Sequence, residues 1–346
     1  MKNKKINAVV LTMIMVASIL FTGCSNTEKK DDSKATENSA NETSTDKSDT
    51  ASGEATQEKK TYKIGMSIDT TAQAWRAGLV EDVTKEAAKH PEVELTVTDA
   101  NGSSTKQISD VEDLITKGVE AILISPIESQ PLTAVCKKAY DQGIHVLVLD
   151  RALEGEAWTT FIGANNRNIG AEAGEYILNY MTENSLTKVV ELQGTPGSSP
   201  CRDRSEPFVL ALDGSNIEIV AQQTANWTET EAIEVTENLL QAYPKGEIDL
   251  IYAQCDVMAL GALKAIKSAG RDEIKIVSID GQKEALEAIK EGKIQATFTY
   301  PFPGAEGIRV AMKLIDGQNF EKIIDMPSEL ITNDNVDQYY DPNSAF

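Results

Sequence analysis

Carboxylates, guanidinium groups and indole rings recur in this chain at one kind of place, just beyond short apolar runs. Ser67 closes the run Tyr62 to Ser67, and Trp75 and Arg76 open the amphipathic stretch behind it. Ser125 follows Ala121 to Ile124, Asp150 and Arg151 follow His145 to Leu149, and Arg204 stands a short loop beyond Lys188 to Leu192. Trp227 comes after Ile217 to Ala221, Cys255 after Leu250 to Ala253 and Asp280 after Lys275 to Ile279, while Thr299 and Tyr300 end the run that starts at Ala296. Planar guanidinium and carboxylate groups match the alternating donors and acceptors of vicinal hydroxyls, and charge-assisted bonds are about twice as strong as neutral ones. A tryptophan offers a flat apolar face that covers the C–H side of a ring and excludes water. A polyol satisfies both demands. Strand-end ion pairs and helix caps would account for any one of these residues, but not for the whole set.

Other chemistries find less support. His90 precedes Pro91 where a helix should end, and His145 opens a buried strand, so neither suits a nucleophile–histidine arrangement. Gly194-Thr195-Pro196-Gly197 lacks the third glycine of a dinucleotide loop, and no Gly-Lys-Ser/Thr phosphate loop occurs. Asp150 and Asp280 would serve glycoside hydrolysis as a carboxylate pair, yet nothing marks either as the protonated acid. Four cysteines (Cys24, Cys136, Cys201, Cys255), none in a Cys-x-x-Cys pair, and two histidines offer little material for a metal site, and no cofactor is expected. One disulfide among Cys136, Cys201 and Cys255 is left open. With 54 acidic against 33 basic side chains and a formal net charge of −21, a nucleic-acid partner is not expected.

The elements that must position these residues alternate regularly. The apolar runs already named, with Val93 to Thr98, are short, β-branched and bounded by turn residues, as strands are. Helical spacing occupies Trp75 to Lys89, Lys106 to Lys117 and Pro131 to Gln142, then Asn168 to Met181, Asp203 to Leu212, Glu229 to Ala242, Met258 to Ala269, Lys283 to Lys290 and Gly304 to Ile315. Alternation of this kind predicts an α/β fold of parallel sheets covered by helices on both faces. Two series predict two doubly wound domains, and ligands bind such sheets beyond the carboxyl ends of the strands.

The chain begins as an export address. Met1 to Lys5 carries three lysines, and Ala8 to Phe21 is an apolar run interrupted only by Thr12 and Ser18, too short for a spanning helix. Phe21-Thr22-Gly23-Cys24 resembles the lipobox at which bacterial lipoproteins are cut before a cysteine that is then acylated. Residues 1–23 are therefore expected to be a lipoprotein signal peptide and Cys24 the lipidation site. Residues 24–60, rich in Ser, Thr, Asn and charges and without aromatics, cannot offset their conformational entropy by burial. They read as a disordered tether, with the protein held at the extracytoplasmic face of the cell membrane by acyl chains.

Several motifs together carry a wider resemblance: Gly65-Met66-Ser67 with Trp75-Arg76, Val148-Leu149-Asp150-Arg151, Val190-Glu191-Leu192-Gln193-Gly194 followed by Asp203-Arg204, Tyr252-Ala253-Gln254-Cys255-Asp256-Val257-Met258-Ala259-Leu260-Gly261-Ala262, and Ser278-Ile279-Asp280-Gly281. On these, residues 62–340 are similar to the type I periplasmic sugar-binding proteins, the group that contains ribose- and galactofuranose-binding proteins. The resemblance implies a multi-strand hinge crossed near Ala164, Tyr300 and Glu329. It assigns residues 61–164 plus 301–328 to an N-terminal lobe and 165–300 plus 329–346 to a C-terminal lobe. Asp150, Arg151, Trp75 and Arg76 would hold a monosaccharide from the first lobe, and Arg204, Trp227 and Asp280 from the second. Trp75-Arg76 without a preceding Asn-Pro points to the galactofuranose-like branch. Cys255 and Ser125 stand where ribose binders have asparagine, so a galactose-like or other aldose is expected in place of ribose itself. The family further implies a non-catalytic monomer that serves the permease of an ABC importer. The alternative is a sugar sensor that signals to a histidine kinase or chemoreceptor.

Overall fold

The computed structural model describes residues 60–342, 344 and 346, all of which belong to one compact unit. The expected signal peptide, Cys24 and all but the last residue of the tether lie outside the described residues.

The first sheet consists of β1 (Tyr62–Ile68), β2 (Val93–Asp99), β3 (Ala121–Ser125), β4 (His145–Leu149), β5 (Thr160–Ala164) and, from much later in the chain, β11 (Ile323–Met326). Its order is β11-β5-β4-β3-β1-β2, with every pairing parallel. The second sheet has the order β12-β10-β9-β8-β6-β7, built from β6 (Lys188–Gln193), β7 (Glu218–Thr224), β8 (Leu250–Ala253), β9 (Lys275–Val277), β10 (Ala296–Phe298) and β12 (Leu330–Thr332). Only β12 runs antiparallel to its neighbour. Central strands such as β3 and β8 are buried at every residue because helices cover both faces, whereas the edge strands β2 and β7 are half-exposed.

The helices are α1 (Ala74–Ala87), α2 (Ser104–Thr116) and α3 (Ser129–Asp141) on the first sheet, and α4 (Asn166–Glu183), α5 (Ser199–Leu212), α6 (Glu229–Ala242), α7 (Asp256–Ser268) and α8 (Lys283–Lys290) on the second. The last helix, α9 (Gly304–Ile315), packs back on α1 and β4 of the first sheet. Ser103, Asn165 and Thr228 cap their helices by accepting from the backbone N–H three residues on. Among the described residues no helix is long and apolar enough to cross a membrane.

The two-sheet α/β architecture agrees with the alternation read from the sequence, with three strands added and α2, α3, α4, α5 and α7 starting two to four residues earlier than expected. Strands β11 and β12 are partly exposed and β5 carries Thr160 and Gly163, so none of the three forms a continuous apolar run. Helix α5 starts at Ser199, four residues before the expected Asp203, because Pro200 fits a first helical turn where no backbone donor is needed. The chain passes between the sheets three times: after Ala164, between Phe298 and Gly304, and between Met326 and Leu330. An aromatic run of Tyr300, Trp75 and Phe302, with ring centroids 5.2–5.3 Å apart, packs at the middle passage.

Candidate functional site

Each side chain of the cleft is placed by the end of an element. Trp75 and Arg76 stand in the first turn of α1, and Arg204 lies on α5, pressed against α4 at Gly170, where a Cβ would meet the Arg204 carbonyl oxygen at 2.5 Å. Asp150 leaves β4 with φ 65° and Asp280 leaves β9 with φ 138°. Non-glycine residues seldom adopt positive φ, and such strain gathers at binding sites. The backbone holds both kinks: Asp150 N donates to Ile162 O at 3.1 Å and Asp280 N to Phe298 O at 2.8 Å. Asn226 (φ 48°) and Trp227 (φ 63°) form a further left-handed pair that lays the Trp227 indole across Gly194. A Cβ at 194 would stand 1.9 Å from Cε2 and Cζ2 of that ring, so only glycine permits the arrangement.

Trp75, Arg76, Asp150, Arg151, Arg204, Trp227, Cys255, Asp280 and Tyr300 all line one cavity of about 430 Å³ between the sheets. Its first-lobe wall is an ion cluster. Arg76 Nη1 lies 2.5 Å from Asp150 Oδ2, Arg76 Nε is 3.3 Å from Asp69 Oδ1, and Arg151 Nη1 is 2.9 Å from Asp69 Oδ2. Burial alone would raise the Asp150 pKa, but the two guanidinium groups outweigh it and hold the carboxyl below its usual range. Burial likewise works against the Arg76 cation, and Asp150 and Asp69 more than restore it.

In the second-lobe wall, Arg204 Nε donates to Asn166 Oδ1 at 2.8 Å and Nη1 donates to the carbonyl of Gln254. Its guanidinium sits 4.4 Å from the Tyr300 ring centroid and 5.6 Å from that of Trp227, within cation–π range of both. Asp280 is 3.8 Å from Arg204. That contact does not compensate for its burial, which drives the Asp280 pKa well above the ordinary carboxylate value. Asp256, beneath it, is pushed up to about 6 by burial, although Ser278, Thr297 and the backbone of Gln282 all donate to it. Burial also pushes the Cys255 thiol up, so it presents a weak donor to the cavity.

Tyr300 joins the halves. Its hydroxyl donates to Asp150 Oδ1 at 2.5 Å and accepts from Asn166 Nδ2 at 3.0 Å, and its carbonyl accepts from Trp75 Nε1 at 3.2 Å. Three further contacts cross between the sheets: Gln73 Nε2 to Asn226 O at 3.4 Å, Ala152 N to Ser199 Oγ at 2.8 Å and Ser129 N to Gly197 O at 3.4 Å. The lobes are closed on one another.

Three expected residues stand off the cavity wall. Ser67 is fully buried inside β1, one residue short of its end, and its hydroxyl makes no hydrogen bond. Ser125 Oγ accepts from Arg76 Nη1 at 3.1 Å and so supports the ion cluster from behind. Thr299 spends its polar groups on the hinge, accepting from Glu329 N at 2.9 Å through Oγ1 and from Ser328 Oγ at 2.6 Å through its carbonyl. Asp69, Asn166 and Gln254 were missed. Asp69 and Gln254 each lie one residue past a strand, β1 and β8, and so stand at strand ends like the expected residues, whereas Asn166 acts through spatial neighbours that no spacing reveals. Cys136, Cys201 and Cys255 are free and buried, and among the described residues no cluster of His, Cys, Asp and Glu is arranged to hold a metal.

Comparison with known proteins matches residues 64–319 to the periplasmic binding protein domain model. The chain is 35% identical over 276 residues to the ribose import binding protein of Bacillus subtilis, covering 79% of this chain and 88% of that protein. It is 31% identical over 242 residues to the galactofuranose-binding protein of Escherichia coli, covering 68% and 76%. Among solved structures, it is similar to a solute-binding protein from Bacillus halodurans with bound myo-inositol, with a TM-score of 0.77, 29% identity, and coverage of 82% of this chain and 99% of that one. These relatives are sugar- or solute-binding proteins, and the structural neighbour shares the two-sheet architecture.

Proposed function

Because the chain belongs to the periplasmic binding protein domain family, we propose that it is a lipid-anchored extracytoplasmic receptor. It captures a monosaccharide between its lobes, passes it to the permease of an ABC importer and catalyses nothing. The observation that carries this reading is the composition of the cavity wall. Arg76 and Arg151 share Asp69 and Asp150, Arg204 faces Asp280, and two indoles complete the wall from opposite lobes. Three cations meet three carboxylates, so the polar wall is balanced in charge. An acidic ligand would have to break one of these buried pairs, and stripping a buried charge of its partner costs about 3–5 kcal/mol. A neutral polyol accepts from the guanidinium groups and donates to the carboxylates without that loss. A galactose-like or other aldose fits this inventory, and the weak Cys255 thiol supports a hydroxyl pattern unlike that of ribose.

A thermal-shift titration of the chain from residue 25 against D-galactose, L-arabinose, D-ribose, D-allose, D-fructose and myo-inositol tests the reading. A ligand at a hundred times its Kd stabilises by about 2.7 kcal/mol, a Tm rise on the order of 5 °C for lobes of this size. No shift with any of them would remove the sugar-binding reading. Labelled palmitate should enter the full-length chain in bacterial membranes and be absent from Cys24→Ser. The same fold also serves sensing: a fructose-binding periplasmic domain of a hybrid two-component system is similar to this chain, with a TM-score of 0.75 and 29% identity. Affinity purification from membranes separates the outputs, since co-purification of a histidine kinase without a permease would favour signalling over import.

A further inference from the structure

We infer that Gln254 is a positioning residue for the second-lobe half of the cavity, acting on Arg204 and on the Gly194 shelf beneath Trp227; the inference rests on the sugar-binding reading of the cleft. Gln254 sits between β8 and α7, is fully buried and does not line the cavity. All of its polar atoms are engaged. Nε2 donates to Glu191 Oε1 at 2.8 Å and to the Cys201 carbonyl at 3.0 Å. Oε1 accepts from Gly194 N at 2.9 Å, the backbone N donates to Leu192 O at 3.0 Å, and the backbone carbonyl accepts from Arg204 Nη1.

The amide fits one way round only. The Glu191 carboxylate and the Cys201 carbonyl can only accept and Gly194 N–H can only donate, so Nε2 and Oε1 are assigned without ambiguity. Glu191 is itself buried at the centre of a neutral donor set, its second oxygen accepting from Gln193 Nε2 at 3.0 Å, Ser205 Oγ at 2.9 Å and Gln222 Nε2 at 2.6 Å. Gln254 therefore converts a buried carboxylate into an acceptor for the Gly194 backbone. Its side chain joins the end of β6 to the first turn of α5, and its backbone carbonyl holds the guanidinium of Arg204. A buried network of this kind specifies geometry only when every member is satisfied. Replacing the amide by a carboxylate, Gln254→Glu, sets two acceptors face to face at the Glu191 contact and displaces both Gly194 and Arg204.

Protein labelled with 5-fluorotryptophan provides a readout that needs no ligand, because its three indoles (Trp75, Trp158, Trp227) give separate ¹⁹F resonances assignable by Trp→Phe variants. Gln254→Glu is expected to move the Trp227 resonance while leaving that of Trp158 in place. It should also weaken binding of whichever sugar of the panel above binds the parent chain, by about tenfold or more. The swap Glu191→Gln/Gln254→Glu restores a donor opposite an acceptor at residue 191 but leaves an oxygen facing the Cys201 carbonyl, so it should return the Trp227 resonance part of the way to its parent position and recover part of the affinity. An unmoved Trp227 resonance with unchanged affinity in Gln254→Glu would overturn the inference. So would a swap no better than the single variant, including the case in which neither folds. If the parent chain binds no sugar of the panel, the sugar reading fails, and the ¹⁹F comparison still decides the role of Gln254.

Discussion

Adding one methyl group at Gly194 should remove an indole from the cavity. A Cβ there would lie 1.9 Å from Cε2 and Cζ2 of Trp227, and carbon atoms rest at about 3.5–4.0 Å, so the ring must retreat by about 2 Å. Gly194 has no left-handed backbone conformation to lose, which leaves sterics as the only cause. The backbone under the ring cannot follow freely, because Ala225 N is held by Gln193 O at 2.8 Å and Thr228 N by Ala225 O at 2.9 Å. Two consequences follow. Overpacking should cost about 1–3 kcal/mol of stability. Loss of the ring face from the ligand should cost about 1–1.5 kcal/mol of binding, roughly a fivefold to tenfold rise in Kd. The decisive assay is a double-mutant cycle by isothermal titration and thermal unfolding over Gly194→Ala, Trp227→Ala and both together. Once the indole is gone the new methyl has room, so the double variant should match Trp227→Ala in affinity and in Tm. Additive losses would refute the reasoning, because they would mean that residue 194 and the ring act independently.

Asp280→Asn should abolish sugar binding and alter the pH dependence of the Tm, since it removes a buried carboxylate with a raised pKa and leaves Arg204 without its carboxylate partner. The sign of its pH dependence follows from a folded pKa raised above the unfolded one: the ionised group costs stability above its folded pKa, and that cost fades as pH falls and the folded carboxyl protonates. The Tm of the variant relative to the parent should therefore fall towards acid in a Tm series, and a relative gain that grows on acidification would contradict it. Arg204→Ala should leave a chain that folds, seen by circular dichroism, but retains no ligand through purification; undiminished retention by mass spectrometry would contradict its place in the wall. Tyr300→Phe removes the bond to Asp150 and that from Asn166, so affinity should drop about tenfold, measured by calorimetry, with each lobe intact.

The division between what was legible in the chain and what was not follows the range of the interactions concerned. Alternation of short apolar runs with helical spacing reports burial on both faces of a strand, a local consequence of the layer architecture, and so the two α/β series were readable residue by residue. The same alternation placed nine polar and aromatic residues where strands end, and the cavity gathers them. The helix start at Ser199 and the partly exposed edge strand β12 escaped because neither a proline-led turn nor a strand without a continuous apolar run leaves a clear pattern.

What the residues by themselves determined is which groups stand at strand ends and that their chemistry suits a hydroxylated guest. Only the folded chain decided how those groups are paired. Asp69 bridges two arginines, Ser125 and Thr299 turn away from the cavity to support an ion cluster and a hinge, and Tyr300 reaches Asp150 across 150 residues. Buried charges must find partners wherever the chain brings them. That pairing depends on how two sheets cross at the hinge, and no spacing along the sequence encodes it.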